Sequence, residues 1–249
     1  MFKLVRVKQL GNGGAFNFKD TNTSFLVDLR SEGYLLFDCG YSVYQKLREE
    51  NEDILDKLNH IFISHLDDDH IGSLRTLIYY LFFVKDIKPN IYCGEDVYED
   101  LSHYLKDTKG IVSGYKKFDE QFYTLSMIED GGIFLDMFKL DAFESPHFQP
   151  CYGLRILSHN KEYSLNSVEF KDVISIPSGV YFTGDTVGDP EIEKNSINCK
   201  VFHDYSNWDE PSKQVHFCES MKNKYSEEFL KRVIWVHNDK EYDKDWHFY

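Results

Sequence analysis

Four side chains able to hold a metal ion fall within six positions of one another. They are His65, Asp67, Asp69 and His70, in the run Ser64-His-Leu-Asp-Asp-Asp-His-Ile-Gly-Ser-Leu74. Imidazole and carboxylate together suit zinc, manganese or iron rather than calcium. The apolar run His60-Ile-Phe-Ile-Ser64 precedes the cluster, and an amphipathic stretch over residues 71–84 follows it. A strand that empties into a helix through such a turn can aim several donor atoms at one point. His65 and Asp67 then share one side of the turn, while Asp69 and His70 face a second point near the helix start. The chemistry this suggests is hydrolysis at a two-metal site. A solvated acidic turn is the plain alternative, but sites are commonly built at strand-to-helix junctions.

Three later segments carry the same signature. In Glu144-Ser-Pro-His147-Phe-Gln-Pro, a histidine precedes a strand-like run that begins at Tyr152. In Tyr181-Phe-Thr-Gly-Asp185-Thr186, a strand ends in Gly-Asp; its carboxylate can bridge two cations while Gly184 lets the backbone come close. In Arg232-Val-Ile-Trp-Val-His237, an apolar strand ends in histidine. The ligand types thus recur where strands stop or start, which is how a site is assembled at one edge of a sheet. Single histidines elsewhere, at His60, His103, His159 and His247, are read as structural. Gly11, Gly13 and Gly14 form a turn that either cradles a phosphate or simply closes a tight loop.

The elements that must position these residues alternate strand and helix. Strand-like patterns cover residues 2–7, 24–29, 34–37, 60–64, 90–92, 123–127, 133–140, 152–158, 179–182, 200–202 and 233–236. Helix-like patterns cover 42–50, 71–85, 94–105 and 226–231, with Ser226 as the cap of the last and Glu227 and Glu228 in its first turn. Such interleaving predicts an α/β, αββα sandwich of two mixed sheets flanked by helices, as one domain over residues 1–249. Residues 106–121 are polar and contain glycine, and read as a surface loop or lid.

Composition narrows the partners. The net charge of −14 disfavours nonspecific nucleic-acid binding, because phosphate contacts need clustered Lys and Arg. A small anionic ligand held by metals remains compatible with it. The chain has no apolar run near the length of a membrane span, and its first residues alternate like a strand instead of forming a signal peptide. The five cysteines are scattered and form no Cys-x-x-Cys pair, which points to a reducing, cytoplasmic setting. The 17 Tyr and 20 Phe include candidates for stacking on a base, but sequence alone does not choose among them.

Taken in order, the motifs resemble the metallo-β-lactamase fold superfamily, with its His-x-His-x-Asp-His run, separate His, bridging Asp and final His. The resemblance covers residues 11–237. It implies that His65 and His147 hold a first metal, that Asp69, His70 and His237 hold a second, and that Asp185 bridges them. Asp67 stands where the family usually has its second His. Gly11-Asn-Gly-Gly-Ala-Phe16, Leu35-Leu-Phe-Asp-Cys-Gly40, His70-Ile-Gly-Ser-Leu74 and Tyr152-Gly-Leu-Arg-Ile156 resemble the RNase Z-like branch. Within that branch the chain looks most like the cyclic-nucleotide phosphodiesterases of the anti-Pycsar type. No segment has the Gly- and Lys-rich arm by which relatives grip tRNA.

The resemblance implies hydrolysis of a 3′,5′-cyclic nucleotide by a metal-bridged hydroxide, with two divalent ions, Zn or Mn, as cofactors. His216 and Asp69 take catalytic roles, His216 protonating the leaving oxygen. Asp38 would accept a hydrogen bond from a metal-bound histidine, and Asp204, with His203, could orient His216. A homodimer, no membrane partner, and action in the host cytoplasm against Pycsar signalling if the chain is phage-encoded follow from the same resemblance. Two divalent ions against Asp67, Asp69, Asp185 and a hydroxide leave the site near neutral, which suits a monoanionic diester. Two alternatives stand beside this reading. One is an RNase Z-like endonuclease or other phosphodiesterase. The other is a non-catalytic nucleotide-binding protein with a decayed metal site, for which Asp67 is the hint.

Overall fold

Runs of apolar residues with β-branched and aromatic side chains become strands that bury both faces. The computed structural model describes residues 4–50, 52–106, 121–158, 174–206 and 215–238. Thirteen strands are present among them: β1 (Leu4–Gly11), β2 (Ser24–Asp28), β3 (Tyr34–Phe37), β4 (Leu58–Phe62), β5 (Asn90–Cys93), β6 (Thr124–Met127), β7 (Ile133–Leu135), β8 (Phe138–Glu144), β9 (Tyr152–Ser158), β10 (Ile174–Pro177), β11 (Gly179–Phe182), β12 (Lys200–Asp204) and β13 (Val233–Val236). They form a seven-stranded sheet, ordered β10-β1-β2-β3-β4-β5-β6, and a six-stranded sheet, ordered β13-β12-β11-β9-β8-β7. Both sheets mix parallel and antiparallel pairs.

The period-two alternation of side chains sorts the layers. Phe25, Val27, Leu35, Phe37 and Phe62 of the first sheet meet Leu154, Ile156, Val180, Phe182 and Phe202 of the second. Their neighbours Leu26, Leu36 and Ile61 face the other way, against the helices α1 (Val43–Glu50), α4 (Leu74–Lys85) and α5 (Glu95–Lys106). Tyr181 and Val201 turn outward from the second sheet and are covered by Ile192 of α6 (Pro190–Asn195) and Phe229 of α7 (Glu227–Leu230). The result is the expected αββα layering. Among the described residues no helix is long and apolar enough to cross a membrane. All five cysteines are buried free thiols, used as small apolar residues.

Several boundaries differ from the sequence reading for local reasons. The stretch 133–140 is two strands, because Asp136 adopts a left-handed φ of 46° and folds β7 back onto β8. The stretch 71–85 is also interrupted. A short helix α3 (Asp68–Ile71) ends at Gly72, and α4 restarts after Ser73, which has left helical geometry at φ −107°. The strand at 200–202 runs on to Asp204. Short elements without a long periodic pattern, such as α2 (Glu52–Leu55), α6 and β10, were not anticipated. α6 does carry local signals: Pro190 at its start, and the Asp189 side chain accepting a hydrogen bond from Glu191 N at 2.7 Å. Ser226 caps α7 as expected, accepting from Phe229 N at 3.1 Å. The loop expected over 106–121 lies, beyond Lys106 and before Gln121, outside the described residues, as do His159 and His247.

Topology brings the ligand-bearing ends together. β3 and β4 run parallel, as do β11, β12 and β13, so the residues after them emerge at one edge. β9 is antiparallel to β11, so the loop leading into it opens at that same edge. Tyr152 N donates to Ser64 O at 3.0 Å and ties the two sheets there.

Candidate metal centre

Each ligand-type side chain leaves a strand end at this edge. Asp38 follows β3. His65 to His70 follow β4 and enter α3. Residues 145–151 join β8 to β9 and carry His147. Asp185, Asp204 and His237 terminate or follow β11, β12 and β13. Gly184, with φ of 63°, passes so close to Cys151 Sγ that an added Cβ would lie 2.9 Å from it. Gly40 packs directly beneath the Asp69 carbonyl, which leaves no room for a side chain. Asp38 and His237 adopt left-handed backbone conformations, φ 59° and 67°. Strain of this kind clusters at functional sites.

The side chains converge as two groups. In each, one ligand atom per residue lies within 4.8 Å of the others: His65, His147 and Asp185 in the first, Asp69, His70 and His237 in the second. Asp185 faces both. Its Oδ2 is 3.7 Å from His65 Nε2, while its Oδ1 is 3.3 Å from His70 Nε2 and 3.4 Å from His237 Nδ1. One oxygen therefore points to each group, as a bridging carboxylate requires. Asp69 Oδ2 is 3.4 Å from His70 Nε2 and 3.8 Å from His237 Nε2. Asp67 sits at the rim of the first group, 38% exposed, with Oδ2 3.4 Å from His65 Nε2 and 3.8 Å from His147 Nε2.

The donor set fits cations. Four buried ring nitrogens, His65 Nε2, His70 Nε2, His147 Nε2 and His237 Nδ1, have no hydrogen-bond partner among the described residues. Buried polar atoms are rarely left so, and four of them converging beside carboxylates is what divalent ions would satisfy. The opposite ring nitrogens are anchored: His147 Nδ1 to Val215 O at 2.9 Å, and His70 Nδ1 to Asp38 Oδ2 at 2.8 Å. The second is the contact expected of Asp38.

Electrostatics follow from this crowding. Burial alone would raise the Asp185 carboxyl, but His237, His70 and His216 outweigh it and hold the group well below the usual carboxylate range. Burial likewise opposes ionisation of Asp67, but the neighbouring His147 and His65 imidazoles outweigh it and lower the carboxyl. His65 is pushed down by burial and by His70. His70 goes the other way: despite burial, Asp185, Asp69 and Asp38 raise it well above an ordinary histidine. Behind the site, Phe25, Phe37, Phe182 and Phe202 form an aromatic floor, with ring centroids of Phe25 4.7 Å from those of Phe182 and Phe202. This apolar backing excludes water and strengthens each charge interaction in front of it.

His216 lies beside the pair of groups. Its Nδ1 is 3.0 Å from Asp204 Oδ2 and 3.5 Å from Asp185 Oδ2, and its side chain is 18% exposed. Asp204 Oδ2 also accepts from Thr186 N at 2.9 Å, which fixes the carboxylate. Asp204, Asp185, His216 and His237 also approach within 4.8 Å, so His216 is near enough to be a proton donor or a ligand. His203, in contrast, is fully buried: its Nδ1 donates to Asp204 O at 2.7 Å, and its Nε2 is hydrogen-bonded to Tyr225 Oη at 2.8 Å. Burial lowers it to about 4. It supports β12 and does not orient His216. His60 is buried against Tyr92 and likewise lowered to about 4 by burial, in keeping with a structural role. His103 is exposed on α5.

At Gly13 the Gly-rich turn closes on itself. Gly13 N donates to Thr21 O at 2.9 Å, so its N–H is spent inside the loop. The turn instead clasps the final histidine: Asn12 Oδ1 accepts from His237 N at 3.2 Å, and Asn12 O from Asn238 N at 2.6 Å. Asn12, Ser64, Val215 and Gln149 were not singled out from sequence. Only Ser64, directly preceding His65, carried a positional hint.

Comparison with known proteins agrees with this arrangement. The family described as Anti-Pycsar protein Apyc1 matches residues 5–247. Ribonuclease BN of Escherichia coli is 30% identical over 167 residues, 64% of this chain and 51% of its own length. The chain thus spans 51% of that relative's length. Among solved structures, the metallo-β-lactamase fold protein YhfI from Bacillus subtilis superposes with a TM-score of 0.65 at 18% identity, over 95% of this chain and 87% of that one. Zn(2+)-bound PqqB from Methylobacterium extorquens gives a TM-score of 0.66 at 10% identity, over 94% and 89%. Both likenesses establish the metallo-β-lactamase fold.

Proposed function

Since this chain belongs to the anti-Pycsar protein Apyc1 family, on a metallo-β-lactamase fold of the RNase Z-like branch, we propose that it is a metal-dependent phosphodiesterase that opens a 3′,5′-cyclic nucleotide. Cyclic pyrimidine monophosphates are the substrates this reading favours, with a role in countering Pycsar signalling. It places the protein in the cytoplasm, as a homodimer, with two Zn or Mn ions and no membrane or nucleic-acid partner. The observation that carries it is Asp185, with one oxygen toward each histidine group and His216 held alongside by Asp204.

When bound, two divalent ions supply a water of pKa near ~7 and offset charge on the phosphoryl oxygens. His65, His147 and Asp67 would hold one, Asp69, His70 and His237 the other, with Asp185 between them. Asp204 holds His216 Nδ1, so Nε2 is the nitrogen that would meet the substrate. His216 gives a proton to the departing 3′ oxygen as a water, losing its own proton to solvent, adds to phosphorus, leaving a 5′-monophosphate. Cation analysis, then incubation with cyclic nucleotides read by chromatography, tests this. Binding without cleavage would favour a sequestering protein with a decayed site, and cleavage of precursor tRNA would favour the endonuclease.

Asp67 makes the first group harder than a third imidazole, beside His65 and His147, would. Wild type is expected to be activated at least as well by manganese as by zinc, and Asp67→His to shift the preference toward zinc, because imidazole is the softer donor. A wild type that is active with zinc and inactive with manganese would sink this.

Phe148 supports a substrate bearing a flat heterocycle. Its ring is 65% exposed yet lies 4.5 Å from that of His147, beside the first group. Stacking of a base on such a ring contributes about 1–3 kcal/mol. Phe148→Ala should therefore raise KM for the cyclic nucleotide about 5- to 160-fold, with kcat and cation content kept, and Phe148→Tyr should restore it. An unchanged KM in Phe148→Ala would remove the ring from recognition.

A further inference from the structure

We infer that Ser64 is a positioning residue, a hydroxyl relay through which one carboxylate, Asp38, sets the imidazole tautomer of a histidine in each cation group. The inference rests on the two-cation reading above. Asp38 is fully buried. Its Oδ1 accepts from Ser64 N at 2.8 Å; its Oδ2 accepts from Ser64 Oγ at 2.7 Å and contacts His70 Nδ1 at 2.8 Å. An ionised carboxylate only accepts, so both the hydroxyl and the His70 ring must donate to it.

Proton counting then fixes His65. Ser64 has a single hydroxyl proton, and Asp38 takes it. The 2.9 Å contact between Ser64 Oγ and His65 Nδ1 must therefore have the imidazole as donor. Both His65 and His70 then carry a proton on Nδ1, which makes Nε2 the nitrogen that would meet a cation. Those are two of the buried nitrogens without a partner, one in each group. The other neighbour of His65 Nδ1 is Cys151 Sγ at 3.6 Å, a weak acceptor that would hold the ring poorly on its own. The left-handed φ of Asp38 presents the carboxylate to both branches. Direct contact sets the second group, and the serine relay sets the first.

The two branches make different demands on mutants. Removing a partner that orients a metal-bound histidine typically costs 10- to 100-fold in metal affinity. Ser64→Ala should weaken the first zinc by about that factor and the second much less, because His70 keeps its bond to Asp38. Asp38→Asn should weaken both. The probe is zinc itself, titrated into metal-free protein by calorimetry, with a thermal melt to confirm folding. The imidazole nitrogen spectrum of the zinc-loaded wild type reads the tautomers directly and does not depend on any variant folding. It should show Nδ1–H on both His65 and His70. An Nε2–H tautomer on either, or a folded Ser64→Ala protein that binds both zinc ions as wild type does, would overturn the relay. Because the readouts are zinc affinity and tautomer, a protein that binds zinc as described but leaves cyclic nucleotides intact would refute the proposed reaction and not the relay.

Discussion

Asp185→Ala is expected to abolish hydrolysis and to release at least one cation while the fold persists. The two oxygens of the Asp185 carboxylate face different histidine groups, at 3.7 Å from His65 Nε2 and 3.3 Å from His70 Nε2. Without it, the first group keeps two buried imidazoles and the half-exposed Asp67, and the second group loses the carboxylate oxygen that faces His70 and His237, so at least one cation is held less tightly. Cation chemistry contributes several kcal/mol to charge stabilisation, so losing one ion should cost about 10³-fold or more in turnover. The fold should survive because Asp185 lies outside all three apolar clusters, which rest on residues such as Phe25, Phe182 and Phe229. Metal analysis, turnover and a thermal melt on the same preparation separate the possibilities. Full activity with two cations retained would sink the assignment of Asp185. A melt far below wild type, with cations lost, would make it a structural residue as well.

The contrast between what sequence carried and what it did not is physical. The candidate ligands were legible as a set because strand ends must put their residues at a sheet edge: His65, Asp69, His70, His147, Asp185 and His237 all come together there. The layering was legible because Phe25 and Leu26, or Phe62 and Ile61, alternate between two apolar faces. What escaped depends on contacts between distant segments. The Ser64 bond to Asp38 exists because β3 and β4 lie parallel in a particular register, Phe37 opposite Phe62. The clasp of Asn12 on His237 joins residues at opposite ends of the chain. No pattern within either segment announces such a pairing. Local geometry hid the rest: the turn at Asp136 depends on one left-handed residue inside an otherwise continuous apolar run.

His216→Ala is expected to lower turnover about 10²- to 10⁴-fold on a cyclic nucleotide, the usual scale for loss of a general acid. The 3′ alkoxide is a poor leaving group and needs a proton as it departs. An activated aryl diester needs little help of that kind, so its hydrolysis should fall far less. Geometry leaves a real choice of role. His216 Nδ1 is 3.0 Å from Asp204 Oδ2, the partner of an oriented acid, but the ring also stands within 4.8 Å of Asp185 and His237, close enough to join a coordination shell. A ligand would damage both substrates alike and take cation content down with it. A side chain that merely fills the rim would change neither. The proton donor alone gives a large loss on the cyclic nucleotide, a small loss on the aryl diester and unchanged cations. Asp204→Asn extends the test: it should reproduce the same differential more weakly, since His216 would remain but lose the carboxylate that holds its Nδ1 proton. Equal losses on both substrates with cations released would place His216 and Asp204 among the ligands instead.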